Sequence, residues 1–263
     1  MLEEFKNPDV SVIIPAYNED ENIGEVLRRL MKIDWPLHNM EIVVVDDGST
    51  DNTSKEIMSF PFVKYVRHEK NIGKGAAIRT GIKSSTGKVV VIQDADLEYS
   101  PECIPHLVKP ILTGLADIVY GSRFSGKCQG MSFSHFIGNR ILSLAAKILY
   151  NVPITDVMTG HKAFSRVVFS SFELNEDGFE VEVEMTSKSL QNGWRFTEVP
   201  VTYSFRNFGV SKIVYLDGVK SLLRLIIDRC KRNGVSNHRL SGDNNCVRDD
   251  VGSLQNGRSS DCE

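Results

Sequence analysis

The chain has 263 residues, 41% of them hydrophobic and 25% charged, with 31 Lys and Arg against 34 Asp and Glu for a net charge of −3. These proportions are globular and exclude a disordered chain, a collagen and a coiled coil. A weakly acidic chain lacks the basic footprint of a general nucleic-acid binder, so no nucleic-acid partner is expected. Its five cysteines are odd in number and widely spaced, without a CxxC, which fits a reducing cytosol rather than a disulfide framework or structural zinc. The opening MLEEFKNPD is too acidic and polar for a signal peptide. No apolar run approaches the roughly 20 residues that span a bilayer.

Residues 10–14 are a short apolar run, read as a strand buried on both faces. Ile23, Val26, Leu27, Leu30 and Met31 then recur at helical spacing, with Asn18 and Glu21 as a capping pair. Residues 42–45 read as a second buried strand, followed by Asp46-Asp47-Gly48-Ser49 and a short helix from Thr50 or Asp51. A third strand is expected at 63–66, a helix over 73–85 and a fourth strand over 88–93. Pro101 suits the first turn of another helix. A fifth strand falls at 116–120. Strand and helix in alternation predict an α/β fold, a mostly parallel sheet with helices on both faces. Ligands of such sheets sit at the carboxyl ends of the strands, where three polar motifs stand at 15–19, 46–49 and 94–98.

Beyond Phe124 the pattern changes. Residues 126–134 are rich in Gly and Ser and read as a mobile loop. Amphipathic helices are expected over 136–150 and 213–230, and a helix over 179–191 that stops at Asn192-Gly193. Residues 195–203 alternate as a strand. Residues 235–263 have no periodicity and no aromatic side chain, and read as a disordered tail.

The chemistry concentrates in the polar motifs. Asp94, Asp96 and Glu98 stand at i, i+2 and i+4, which in extended backbone puts three carboxylates on one face. Crowded carboxylates call for a cation, and oxygen ligands suit Mg²⁺ or Mn²⁺. A solvated acidic turn is the plainer alternative. Tyr17 is placed to face a nucleobase or sugar, or simply to pack, and Glu19 to accept from a ribose hydroxyl. Asp46 and Asp47 are either ligands of the base or ribose or an N-cap cluster. Arg140, beside Asn139 at the start of a helix, is either an acceptor-phosphate ligand or a solvated cation.

The segments SVIIPAYNE, IVVVDDGSTDNT, NIGKGAAIRTGI, VVIQDADLE and DIVYGSRF occur in this order. Together they resemble the family-2 inverting nucleotide-sugar glycosyltransferases with the GT-A fold. TDVMTGHKAF, GFEVEVEM, EVPVTY and RNFGVSKI are similar to the branch of polyprenyl-phosphate glycosyltransferases that includes dolichyl-phosphate mannose synthase. The resemblance implies a single catalytic domain over 8–234, with a nucleotide-sugar half at about 10–125 and an acceptor half at 126–234. It implies that Pro15, Tyr17, Glu19, Val45 and Asp47 line the nucleotide pocket, and that Asp94, Ala95 and Asp96 contact the sugar diphosphate. Asp96 and Glu98 would ligate the metal, at a position where branch members often have Gln in place of Glu98. Arg123 would face the phosphates, Arg206 and Lys212 would close over the donor, and Thr159-Gly160 would turn beneath the sugar. Asp156 would position the acceptor or act as base.

The implied reaction moves a hexose from a UDP- or GDP-sugar to a polyprenyl phosphate. The alternatives are transfer to a glycan hydroxyl, or an inactive nucleotide-sugar-binding module. Residues 212–232 hold six Lys or Arg and two Asp on an apolar-striped helix. That helix is either packed on the sheet or laid on an anionic membrane. The expected location is the cytoplasm, with peripheral attachment to its membrane face or to a membrane subunit left open.

Overall fold

A computed structural model describes residues 8–33, 40–204 and 215–235. The first half is built as the periodicity predicts. Strand β1 (Val10–Ala16) leads to helix α1 (Ile23–Lys32), β2 (Met40–Asp46), α2 (Thr53–Met58), β3 (Lys64–Arg67), α3 (Lys74–Ser84) and β4 (Val89–Ile92). A 3₁₀ turn at Pro101–Cys103 opens α4 (Ile104–Leu112). Then come β5 (Ile118–Gln129), α5 (Phe133–Tyr150), β6 (Lys162–Ser165), α6 (Arg166–Phe169), α7 (Val181–Gln191), β7 (Phe196–Ser204) and α8 (Tyr215–Val235).

The strands form one seven-stranded sheet in the order β3-β2-β1-β4-β6-β5-β7. All pairings are parallel except those of β6, which runs antiparallel to both β4 and β5. The order reverses between β1 and β4, which opens a crevice at their carboxyl ends. Both faces are covered: Val12, Ile14, Val44 and Val91 pack in one core cluster, and Ile13, Val90, Ile92 and Phe164 in another. Continuous apolar strands are the sequence signature of this double burial.

Three expectations are corrected. Asn18 and Glu21 do not cap α1, whose N-cap is Asn22 without a side-chain bond to the helix amides. Met31 faces solvent rather than the core, because only Ile23, Val26, Leu27 and Leu30 fall on the buried arc. Residues 126–129, expected in a mobile loop, continue β5 along β7 after an irregularity between Ser122 and Lys127. Gly126 permits this: a Cβ there would lie 2.1 Å from the Val201 carbonyl oxygen, so only glycine lets the two backbones meet. The tail expected at 235–263 lies, past Val235, outside the described residues.

Candidate active site

A cavity of about 310 Å³ opens at the carboxyl ends of β1, β2 and β4. Pro15, Ala16, Tyr17 and Glu19 line it where the chain leaves β1, and Asp47 where it leaves β2. Asn71, Gly73 and Lys74 come from the start of α3, and Asp94, Ala95, Asp96, Glu98 and Tyr99 from the exit of β4. Arg123, Met158, Gly160, Gly178, Phe179 and Glu182 complete the wall.

The two first exits are sewn together. Asn18, at a φ of 50°, accepts from the Thr50 amide at 2.8 Å, and its own amide donates to Ser49 Oγ at 3.0 Å. Asp46 is fully buried and accepts from the Ser49 amide, the Ser54 hydroxyl and the Tyr65 hydroxyl. It therefore builds the turn, while Asp47 reaches the cavity. Asp47 accepts from the amides of Ile72 (3.0 Å) and Gly73 (2.7 Å) and lies 2.6 Å from His68 Nδ1. One carboxylate thus fixes the loop that delivers Lys74. Gly73 sits at a φ of 126°, a conformation open to glycine, and its Cβ would strike the Asp177 carbonyl. Glu19 accepts from Asn22 Nδ2 at 2.9 Å. Val45 is buried against Val43, Ala77 and Val66 and is not on the cavity wall. Its side chain points into the sheet–helix layer, so the pocket contact implied for it is not formed by the side chain.

The acidic motif is not extended. Leu97 adopts a φ of 61°, and the Glu98 amide turns back to donate to Asp96 Oδ1 at 3.1 Å. The extended backbone that the i, i+2, i+4 spacing assumes is therefore replaced by a turn, and it is this turn that leaves Asp94, Asp96 and Glu98 lining one cavity. Asp94 pairs with Lys74 Nζ at 2.6 Å, and Glu98 accepts from the Tyr203 hydroxyl at 3.1 Å. Among the described residues no group of three or more Asp, Glu, His or Cys is arranged to hold a metal. Asp96 and Glu98 both remain on the cavity wall.

A ladder of charge runs beneath them. Lys74 also lies 2.8 Å from Glu182 Oε1, and Glu182 Oε2 pairs with the fully buried Lys162. Burial alone would raise the Glu182 pKa, but Lys162 and Lys74 outweigh it and hold the carboxylate ionised. Burial pushes Asp94 up to about 6 against the pull of Lys74, and the Asp96 charge adds to the rise. The sequence reading assigns no role to Lys74 or Glu182. Lys74 stands at the start of one helix and Glu182 is one of three alternating glutamates at the start of another, and only the fold brings them together.

Arg123 is 6% exposed and Asp156 is fully buried. Asp156 accepts from Arg123 Nε at 2.7 Å, Nη2 at 2.7 Å and the backbone amide at 3.0 Å. Burial would lower the guanidinium pKa; Tyr99 and Asp156 outweigh it, so Arg123 stays charged. The rings of Tyr99, Phe124 and Tyr203 stand 5.5–5.9 Å from its centre. Asp156 itself is not on the cavity wall. It stands behind Arg123 as a counter-ion, a position unsuited to abstracting an acceptor proton. Gly160 does lie beneath the cavity, packed on Asp94 and Tyr99. Arg140 is exposed and stacks over Phe124 at 5.2 Å, outside the wall. Arg206 and Lys212 lie outside the described residues.

The model of glycosyl transferase family 2 matches residues 11–172. The chain belongs to this family. It is 37% identical over 211 residues to the dolichol-phosphate mannosyltransferase of Pyrococcus furiosus, covering 78% of the chain and 59% of that relative. It is 30% identical over 215 residues to the polyprenol monophosphomannose synthase of Mycolicibacterium smegmatis, covering 77% of the chain and 80% of the relative. The glucosyl-3-phosphoglycerate synthase of Mycobacterium tuberculosis, crystallised with Mn²⁺, UDP and product, superposes with a TM-score of 0.66. The superposition covers 87% of this chain and 81% of that one at 22% identity, a likeness of fold. The GT-A sheet expected from the resemblance is thus the observed one. The family's fold puts its ligand crevice where this cavity lies, at the switch between β1 and β4.

Proposed function

We propose that this chain is an inverting, metal-assisted glycosyltransferase that moves a hexose from a UDP- or GDP-sugar to a polyprenyl phosphate. One observation carries the choice of acceptor: Asp156, for which the resemblance implies a role as acceptor-positioning residue or base, is sealed behind Arg123. A hydroxyl acceptor needs a base to take its proton, whereas a phosphate monoester is already an anionic nucleophile at neutral pH. The names of the Pyrococcus and Mycolicibacterium relatives support the same acceptor class.

In this reading Tyr17 and Asp47 hold the nucleoside, with Pro15, Ala16 and Glu19 shaping the wall around it. Lys74 and Arg123 bring positive charge to the diphosphate end. The phosphate oxygen of the acceptor bonds to the anomeric carbon as the bond from that carbon to the diphosphate oxygen breaks on the opposite side. Preorganised cations stabilise the charge that collects on the departing diphosphate. Asp156 acts as a positioning residue, holding the guanidinium in one orientation at the edge of the cavity. Asp96 and Glu98 offer two hard oxygen donors beside the expected diphosphate, a set that fits Mg²⁺ or Mn²⁺ when the phosphates supply further oxygens. Such a cation would neutralise the leaving group. Arg206 and Lys212 are proposed to close over the donor, and Arg140 to meet the acceptor phosphate.

The test is incubation with UDP- and GDP-sugars, polyprenyl phosphate and Mg²⁺ or Mn²⁺, reading out glycolipid and its anomeric configuration by NMR. Inverted glycosyl phosphate is the expected product. Retention of configuration, or transfer only to a sugar hydroxyl, would overturn the proposal. EDTA and Asp96→Ala should each abolish transfer and leave the melting temperature unchanged. Full activity in both would remove the metal from the mechanism.

A further inference from the structure

Strand β7 ends beside the cavity, and its last buried residue carries a hydroxyl that the core does not use. Along β7, Val201 and Tyr203 are buried while Pro200, Thr202 and Ser204 are exposed, the alternation of a strand with one covered face. Tyr203 is 6% exposed and belongs to the same core cluster as Val201 and Tyr99. Its ring meets the Tyr99 ring edge-on, with centroids 5.5 Å apart. A phenylalanine would fill that space equally well. The hydroxyl instead donates to Glu98 Oε2 at 3.1 Å.

The backbone makes the same junction. The Ser204 amide donates to the Glu98 carbonyl at 2.9 Å, and Tyr99 and Tyr203 form an isolated antiparallel bridge. The end of β7 is therefore stitched to the turn that carries Asp96 and Glu98. The Glu98 amide in turn donates to Asp96 Oδ1 at 3.1 Å, so the two oxygen donors proposed for the metal are held as one unit. The Tyr203 ring also stands 5.5 Å from the Arg123 guanidinium, which Asp156 fixes by two bonds of 2.7 Å. One side chain thus touches both the acidic pair and the cation.

A glutamate side chain has many rotamers, and a cation that binds it must bear the cost of ordering it. A hydrogen bond already in place removes part of that cost. It does not exhaust the ligand, because a carboxylate offers about four lone-pair directions on its two oxygens. Donors standing behind metal ligands are worth roughly 10–100-fold in metal affinity.

We propose that Tyr203 is a positioning residue for the divalent cation: its hydroxyl holds Glu98 in the orientation that ligates, while its ring packs against Arg123. The inference rests on the metal reading given above and deepens it. Without the hydroxyl, the cation itself has to order the Glu98 carboxylate.

Tyr203→Phe deletes the hydroxyl and keeps the ring. Mn²⁺ binding to the full chain is read from the paramagnetic resonance of the unbound ion, with UDP or GDP present and no acceptor, so that no turnover is involved. The Mn²⁺ dissociation constant should rise by roughly 10–100-fold. Nucleotide affinity measured in EDTA should match the parent, which also shows that the variant folds. In a Glu98→Ala background, where Asp96 and the nucleotide phosphates remain as ligands, the same substitution should change Mn²⁺ affinity by less than about twofold, since the residue it acts through is gone. Equal Mn²⁺ affinity in the parent and in Tyr203→Phe would overturn the inference and leave the metal reading intact. An equal loss with and without Glu98 would overturn it as well, because the hydroxyl would then act by another route. A fall in metal-free nucleotide affinity as large as the fall in Mn²⁺ affinity would assign the hydroxyl to the support of Arg123 instead. A parent that binds no Mn²⁺ with either nucleotide would overturn the metal reading and this inference together.

Discussion

Asp156→Asn is the sharpest probe of the site. The carboxylate is fully buried and takes three hydrogen bonds from Arg123, two of them from the guanidinium at 2.7 Å. The substitution keeps the shape and removes the charge. It also turns an NH₂ group toward a guanidinium that can only donate. Arg123, 6% exposed, is then a buried cation without its counter-ion. Breaking a buried pair in this way costs about 3–5 kcal/mol. In a domain of this size that lowers the melting temperature by roughly 6–20 °C. Urea unfolding measures the loss directly. The double variant Arg123→Leu with Asp156→Leu should be more stable than either single variant, because it leaves no unpaired charge. The kinetic signature follows from the same geometry. Asp156 acts through Arg123, so Asp156→Asn should weaken binding of UDP or GDP as well as turnover. A loss below about 1 kcal/mol would refute the reasoning, since the pair would then not be desolvated. A fall in kcat alone, with nucleotide affinity intact and rescue at high pH, would restore Asp156 as a base.

Three further outcomes are expected. In Gly160→Ala the new Cβ would come 1.9 Å from Asp94 Oδ2 and 3.3 Å from the Tyr99 ring, so Asp94 must leave Lys74. Turnover should fall by roughly a hundredfold with a small change in melting temperature, and unchanged turnover would detach Asp94 from the chemistry. Asp47→Ala strands the Ile72 and Gly73 amides and should cost about 2–3 kcal/mol in urea unfolding while loosening the loop before Lys74. A neutral result would mean that loop is held by other contacts. His161 is fully buried with neither ring nitrogen bonded, and burial depresses its pKa to about 3 from 6.5. The unfolded chain takes up that proton near pH 6.5 and the native chain only near pH 3, so the stability is present above pH 6.5 and lost as pH falls toward 3. Between pH 6.5 and pH 5 His161 should cost the parent about 2 kcal/mol that His161→Leu does not lose, read from urea curves at both pH values. Parallel losses would show that other groups govern the acid limb.

The sequence by itself determined the sheet and the address of the site. Buried parallel strands are read from uninterrupted apolar runs, and β1, β2 and β4 announce themselves this way because nothing on either face is solvated. The polar residues that follow such runs must stand at strand ends, which located Tyr17, Glu19, Asp47, Asp94, Asp96 and Glu98 on one cavity. Strand β6 was not legible: four residues with a lysine among them carry no period, and Lys162 is tolerated there because Glu182 neutralises it. The extension of β5 through 126–129 was hidden for a similar reason, since the glycine that reads as a loop is what close pairing with β7 requires. Only the tertiary structure decided which charges meet. Spacing along the chain put Asp94, Asp96 and Glu98 on one face of an extended segment; the backbone turns at Leu97 instead, and elements arriving from elsewhere pair Asp94 with Lys74 and Glu98 with Tyr203. Asp156 was open to a role as base or as acceptor-positioning residue, and only the fold shows Arg123, 33 residues earlier in the chain, occupying both its oxygens. Partners such as Lys74 and Glu182 are more than 100 residues apart in sequence. Periodicity reports which side of an element is buried; what a buried charge pairs with is set by elements arriving from elsewhere in the chain, and burial makes that pairing obligatory.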